Sequence, residues 1–176
     1  MLLALNSYGQ DKYNHVHFNK LIEVEGSDFV VASIENRGKL DNTKGRYLLF
    51  IDTKTGQTNQ VDFPYEIYPA DITQVKIDEL AINRIIVCAR TIDLNGQKGV
   101  DWNDPLQIVV LSVDGKEKTQ LTDSNLFVKT WTVNKKTATI VVTGHYDTNN
   151  NGKHDKTDKN EILIYDVKTL ELLHKI

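Results

Sequence analysis

Asp93-Leu94-Asn95-Gly96-Gln97-Lys98-Gly99-Val100-Asp101-Trp102-Asn103-Asp104 and Asp147-Thr148-Asn149-Asn150-Asn151-Gly152-Lys153-His154-Asp155-Lys156-Thr157-Asp158 are one polar loop written twice, 54 residues apart. The shift sets Asp93, Asn95, Gln97, Asp101 and Asp104 on Asp147, Asn149, Asn151, Asp155 and Asp158. It continues downstream, where Ile108-Val109-Val110-Leu111 falls on Ile162-Leu163-Ile164-Tyr165. Upstream, Ile86-Val87-Cys88 falls on Ile140-Val141-Val142, with no gap required. A more degenerate first copy has Phe29-Val30-Val31-Ala32, a shorter polar loop from Glu35 to Gly45, and Tyr47-Leu48-Leu49-Phe50-Ile51-Asp52. Three repeats, at about 14–69, 70–123 and 124–176, therefore fill the chain, which is expected to be a single domain over 1–176.

Within each repeat, short runs of Val, Ile, Thr and aromatic residues are separated by turn residues, and no helix-length window keeps a 3.6-residue period. The expected class is all-β, with four antiparallel strands per repeat. In the second repeat the strands are predicted near 74–78, 84–90, 107–113 and 118–121; in the third, near 128–133, 137–144, 161–167 and 170–174. Asp114-Gly115 joins the last two strands of the second repeat as a tight hairpin. Asp52-Thr53-Lys54-Thr55-Gly56 does so in the first through a longer turn. The long polar loop always falls between the second and third strands.

Composition narrows the function. The 176 residues are 40% hydrophobic, enough for a core without disulfides. Lys and Arg total 21 against 24 Asp and Glu, scattered in sign, so no basic stripe is present to neutralise phosphates and nucleic acid is not an expected partner. The single cysteine, Cys88, lies in an apolar run and reads as a small buried hydrophobe. Met1-Leu2-Leu3-Ala4-Leu5 is shorter than a signal-peptide core and has no basic flank. No run approaches the roughly 20 apolar residues of a membrane span.

The second polar loop of the pair has the layout of a calcium site. Oxygen-bearing side chains stand at positions 1, 3, 5, 9 and 12 (Asp147, Asn149, Asn151, Asp155 and Asp158). Gly152 at position 6 permits the sharp bend, and Lys153 at position 7 offers its carbonyl. A hard cation that takes six to eight oxygens can draw most of them from one such turn, and magnesium, with its rigid octahedron, fits it less well. Asp in place of a long bidentate Glu at position 12 argues for modest affinity, about 10⁻⁴–10⁻³ M. The earlier loop keeps Asp93, Asn95, Asp101 and Asp104 as candidate ligands but has Lys98 where the glycine belongs, so its turn must be redrawn. In the first repeat, Arg37, Lys39 and Lys44 surround Asp41, and a salt bridge could replace the ion there.

A four-stranded repeat with an Asp/Asn/Gly-rich loop before a strand such as Glu161-Ile162-Leu163-Ile164-Tyr165-Asp166-Val167 resembles the blades of the bacterial TolB-like β-propellers, over about residues 15–176. That resemblance implies blades packed around an axis and a platform for protein or other ligands, in some members fused to a peptidase that this chain lacks. The calcium loop is similar to those of dockerins and thrombospondin type 3 repeats, which implies Asp147, Asn149, Asn151 and Asp158 as ligands. Three blades fall short of the roughly four needed to close a ring. The chain would then belong to a larger propeller, pair with a second copy into a six-bladed ring, or fold as a β-trefoil, the alternative with twelve strands in three repeats.

Other residues carry weaker signals. His15 and His17 share a strand face and could bind zinc, but no third ligand accompanies them and a solvated face is favoured. His145 and His154 flank the calcium loop as spectators, since a hard cation prefers oxygen. Trp102 is placed to stack on a sugar or a partner side chain, and Trp131 is read as a packing residue. No nucleophile elbow, phosphate-cradling glycine loop, HExxH or paired CxxC occurs. The expectation is a non-enzymatic module with structural calcium that binds a protein or carbohydrate ligand in the periplasm or outside the cell, where calcium is abundant. The alternative is a hydrolase of carbohydrate or peptide substrates on the same blades.

Overall fold

A computed structural model describes residues 18–34, 47–65, 67, 71–97, 99–149, 151 and 155–176. His15, His17, the Glu35–Gly45 loop, Lys98, Gly152, Lys153 and His154 lie outside the described residues. The strands form three four-stranded antiparallel sheets, each an up-and-down meander. Sheet 1 comprises β1 (Phe18–Glu23), β2 (Phe29–Ile34), β3 (Tyr47–Asp52) and β4 (Thr58–Asp62). Sheet 2 comprises β5 (Ile72–Ile77), β6 (Ile82–Arg90), β7 (Leu106–Leu111) and β8 (Lys118–Gln120). Sheet 3 comprises β9 (Leu126–Asn134), β10 (Thr139–Tyr146), β11 (Lys159–Asp166) and β12 (Leu172–Lys175). Strand ends in sheets 2 and 3 fall within two residues of the sequence expectation. The described strands close no barrel, so the β-trefoil alternative, which is built around one, is not the fold of this chain.

Alternation along sheet 2 explains the packing. Ile85, Val87, Val109 and Leu111 point one way, into a core shared with Val31, Leu48, Phe50 and Val61 of sheet 1. Ile86, Cys88, Ile108 and Val110 point the other way, into a core shared with Ile140, Val142, Leu163 and Tyr165 of sheet 3. A strand apolar on both faces cannot lie at a surface, so its continuous hydrophobic run demands a neighbour on each side. The result is three sheets stacked face to face with sheet 2 in the middle.

The ungapped repeat needs one correction. Ile85 pairs with Leu111, and Ile140 pairs with Tyr165. Because Leu111 and Tyr165 are 54 residues apart, the counterpart of Ile140 is Ile85 and not Ile86. Arg90 likewise corresponds to His145, and between it and Asp93 stand Thr91 and Ile92 where sheet 3 has Tyr146 alone. One extra residue reverses the direction of every side chain upstream of it, a shift that an all-apolar strand leaves no trace of.

Two local features follow. Gly115 has φ 70°, and a Cβ built there would stand 2.5 Å from Phe50 Cδ2. The hairpin β7–β8 therefore rests its glycine on a fully buried ring of sheet 1. Gly115→Ala should combine left-handed strain with overpacking and destabilise the fold by about 2–4 kcal/mol in denaturant titration. Burial pushes the Cys88 thiol up to about 11, with Asp71 adding to the shift and Arg90 opposing it. At mildly alkaline pH, native Cys88 should react with a thiol reagent roughly 100-fold more slowly than the unfolded chain, because so little thiolate is present.

Candidate metal loops and an adjoining groove

The two long loops join β6 to β7 and β10 to β11, and they share a hydrogen-bond pattern as well as a sequence. Asp104 and Asp158, at position 12, are 3% and 8% exposed. Asp104 accepts the Leu94 N–H at 2.9 Å on one oxygen and the Asp101 N–H at 2.8 Å on the other. Asp158 accepts the equivalent Thr148 N–H at 3.2 Å and Asp155 N–H at 2.7 Å. Each carboxylate thus clamps the start of its loop to position 9. The return bonds match too, with Asp104 N–H to Asp101 O at 3.2 Å and Asp158 N–H to Asp155 O at 3.3 Å. At position 3, Asn95 Oδ1 accepts the Gln97 N–H at 2.8 Å and Asn149 Oδ1 accepts the Asn151 N–H at 3.1 Å.

Position 1 closes the turn from its other side. Asp93 accepts the N–H groups of Gly96 and Gly99, at 2.6 and 2.9 Å, and Asp147 accepts that of Asn151 at 3.1 Å. Gly96 and Gly99 both have positive φ, 69° and 96°, which is how this loop turns without a glycine at position 6.

The loops differ where a cation would sit. In loop three, Asn149 and Asn151 both direct Nδ2 at Asp155 Oδ2, at 3.0 and 2.6 Å. Thr157 donates its hydroxyl and its backbone N–H to Asp155 Oδ1, at 2.6 and 2.7 Å. These donors, the Thr157 groups foremost and the two amides after them, hold the Asp155 carboxyl well below the usual carboxylate range. In loop two, Asp101 Oδ1 takes the Asn103 N–H at 2.7 Å and Oδ2 the Asn103 amide at 3.5 Å; among the described residues no hydrogen bond brings the Asn95 or Gln97 side chain to it. Positions 3, 5 and 9 therefore converge in loop three and not in loop two. Among the described residues no group of three or more His, Cys, Asp or Glu gathers as a metal site. What loop three gathers is one carboxylate with two amides, whose oxygen and nitrogen exchange places by a half-turn of the side chain.

Glu161, just past loop three, is 4% exposed and forms ion pairs with Lys159 and Lys175, at 2.8 and 2.6 Å. Burial pushes its pKa up, but the two ammonium groups outweigh that and hold it below the usual glutamate range. Its sequence counterpart Gln107, fully buried, accepts the Thr91 hydroxyl at 2.6 Å. Both side chains anchor the strand that leaves the loop.

Beside loop two, where sheets 2 and 3 meet, lies a groove of about 330 Å³. Loop two contributes Trp102, 72% exposed, and the entry to loop three contributes His145, stacked on Phe127 with ring centroids 4.9 Å apart. Arg90 donates Nε–H to the Asp104 carbonyl at 2.9 Å, and its guanidinium lies 5.6 Å from the Tyr65 ring centroid. Lys129 adds a second cation to the lining. Among the described residues Asp104 is the one carboxylate of that lining, and both its oxygens are held by backbone N–H groups. Trp102 was marked by the sequence; Arg90, Phe127 and Lys129 were not, because nothing in their local sequence distinguishes them from ordinary strand residues.

Compared with known proteins, the chain matches no family model and no curated protein.

The clamps can be tested separately from any ion. Asp104→Ala and Asp158→Ala each strand two backbone donors at a buried site, so each should lower stability by about 2–4 kcal/mol in chelator-treated protein. A loss below about 0.5 kcal/mol would mean that the loops do not depend on these carboxylates.

Proposed function

We infer that the chain is a calcium-stabilised, non-enzymatic β-repeat module that binds a protein or carbohydrate ligand in the groove beside its second loop, where sheets 2 and 3 meet. The observation that carries this is the exposed Trp102 of loop two over a groove whose other walls come from the facing strands of sheets 2 and 3. The groove suits a ligand with a flat face for Trp102 and an acidic or hydroxyl-rich edge for Arg90 and Lys129. A hydrolase that used Asp104 as its acid or base would have to release it from two backbone N–H groups, which favours binding over carboxylate-dependent hydrolysis.

Calcium has a structural part in this proposal. Loop three would hold it through Asp147, Asn149, Asn151 and Asp155, with the amides turned to present oxygen and Lys153 supplying its carbonyl. Asp158 would remain the clamp that orders the loop. Strands on both sides of the loop support a brace and not a helix-moving switch. The stacked four-stranded meanders support the propeller-blade resemblance, and a site of this modest strength is suited to calcium-rich surroundings, the periplasm or the cell exterior. No described helix is long and apolar enough to cross a membrane.

Calorimetric titration of chelator-treated protein should give one calcium ion per chain at about 10⁻⁴–10⁻³ M. A hundredfold excess over Kd should add about 2.7 kcal/mol of stability. Asp147→Ala should abolish both effects, while Asp93→Ala should leave them intact. No heat and no change in melting temperature at millimolar calcium would overturn the calcium brace.

A further inference from the structure

Among the described residues the stacking leaves two faces without a neighbour, and they are not alike. Strand pairing gives every sheet the same two sets of positions. One set, the leading face, is Val31/Phe50 and Ser33/Leu48 in sheet 1, Ile86/Val110 and Cys88/Ile108 in sheet 2, and Val141/Ile164 and Thr143/Ile162 in sheet 3. The other, the trailing face, is Val30/Ile51 and Ala32/Leu49 in sheet 1, Ile85/Leu111 and Val87/Val109 in sheet 2, and Ile140/Tyr165 and Val142/Leu163 in sheet 3. Both filled interfaces join a leading face to a trailing face. Among the described residues, therefore, no sheet packs on the leading face of sheet 3 or on the trailing face of sheet 1. The first carries Ile162, 39% exposed, with Ile176, 73% exposed, hydrogen-bonded beside it. The second carries partly exposed Val30, Leu49 and Ile51 around a buried Ala32, with Leu21 opposite Ala32 and 67% exposed.

We propose that two copies of this chain join head to tail, the leading face of sheet 3 in each packing on the trailing face of sheet 1 in the other, to close a ring of six sheets. Two arguments select this occupant. The open faces are the two halves of an interface that the chain already makes twice, so a second copy supplies to each the kind of surface it meets internally. Rings of such sheets run from about four to eight blades, and six is the only multiple of three in that range. A two-fold axis then makes both junctions identical and leaves no apolar face open.

The test is the mass of the chelator-treated and calcium-loaded protein by light scattering on a sizing column, at micromolar concentration. The expected result is a particle of twice the 20.0 kDa chain mass, with or without calcium, so that this inference and the calcium site stand or fall separately. Ile162→Glu on one face and Leu49→Glu on the other should each halve that mass while retaining a cooperative melt, since neither residue belongs to the two internal cores. Should either variant lose its melt, hydrogen exchange on the unaltered chain replaces it, with β3 and β11 gaining protection as concentration rises. A monomer at all concentrations would overturn the proposal. So would a dimer that survives both substitutions, or a ladder of ever larger species, which would mean open-ended stacking.

Discussion

Sheet 2 is apolar on both faces, and the placement of everything else follows from that. Ile86, Val87, Ile108, Val109 and Leu111 are fully buried, and each is worth about 1.5–3 kcal/mol removed from water. Val87, Val109 and Leu111 face sheet 1 and Ile86 and Ile108 face sheet 3, so neither outer sheet can be removed without exposing a complete face. Polar links reinforce the packing at its edges. Lys118 of β8 donates to the Asp62 carbonyl at 2.7 Å with its ammonium 4.0 Å from the Phe63 ring centroid, and Gln107 donates to the Ser124 carbonyl at 3.2 Å.

Stacked sheets of the same connectivity bring equivalent loops to the same end. Loops two and three both leave the second strand of their sheet and return by the third, so they emerge at the same end, where loop two borders the groove. A buried aspartate at the foot of each loop converts a long polar segment into a fixed shape by taking two backbone donors. Arg90, bonded to the carbonyl of the same Asp104, carries that order into the groove wall. Calcium would add to an arrangement that the clamps already impose, which is why its proposed part is to brace and not to switch.

Much of this was legible in the sequence, for identifiable reasons. The 54-residue echo gave the sheets, because loop polarity and strand hydrophobicity alternate on a scale that turn residues delimit clearly. The Asp114-Gly115 hairpin was equally plain, since only a few residue pairs permit such a turn. The register of β6 against β10 was not legible: a continuous apolar run looks the same after a one-residue slip. Nor were the hydrogen bonds that position 12 makes, since a buried clamp and a metal ligand ask for the same carboxylate. The groove was out of reach for another reason, since Arg90, Trp102, Phe127 and His145 are brought together only when sheets 2 and 3 pack.

The dependence of the fold on its middle sheet is best measured by native-state hydrogen exchange, resolved strand by strand. Amides of β6 and β7 should exchange slowest, and only through global unfolding, while the edge strands β1, β4, β9 and β12 open earlier. Exchange in β6 or β7 as fast as in those edge strands would contradict the account, because the sheet that organises the stack would then be no more stable than its margins.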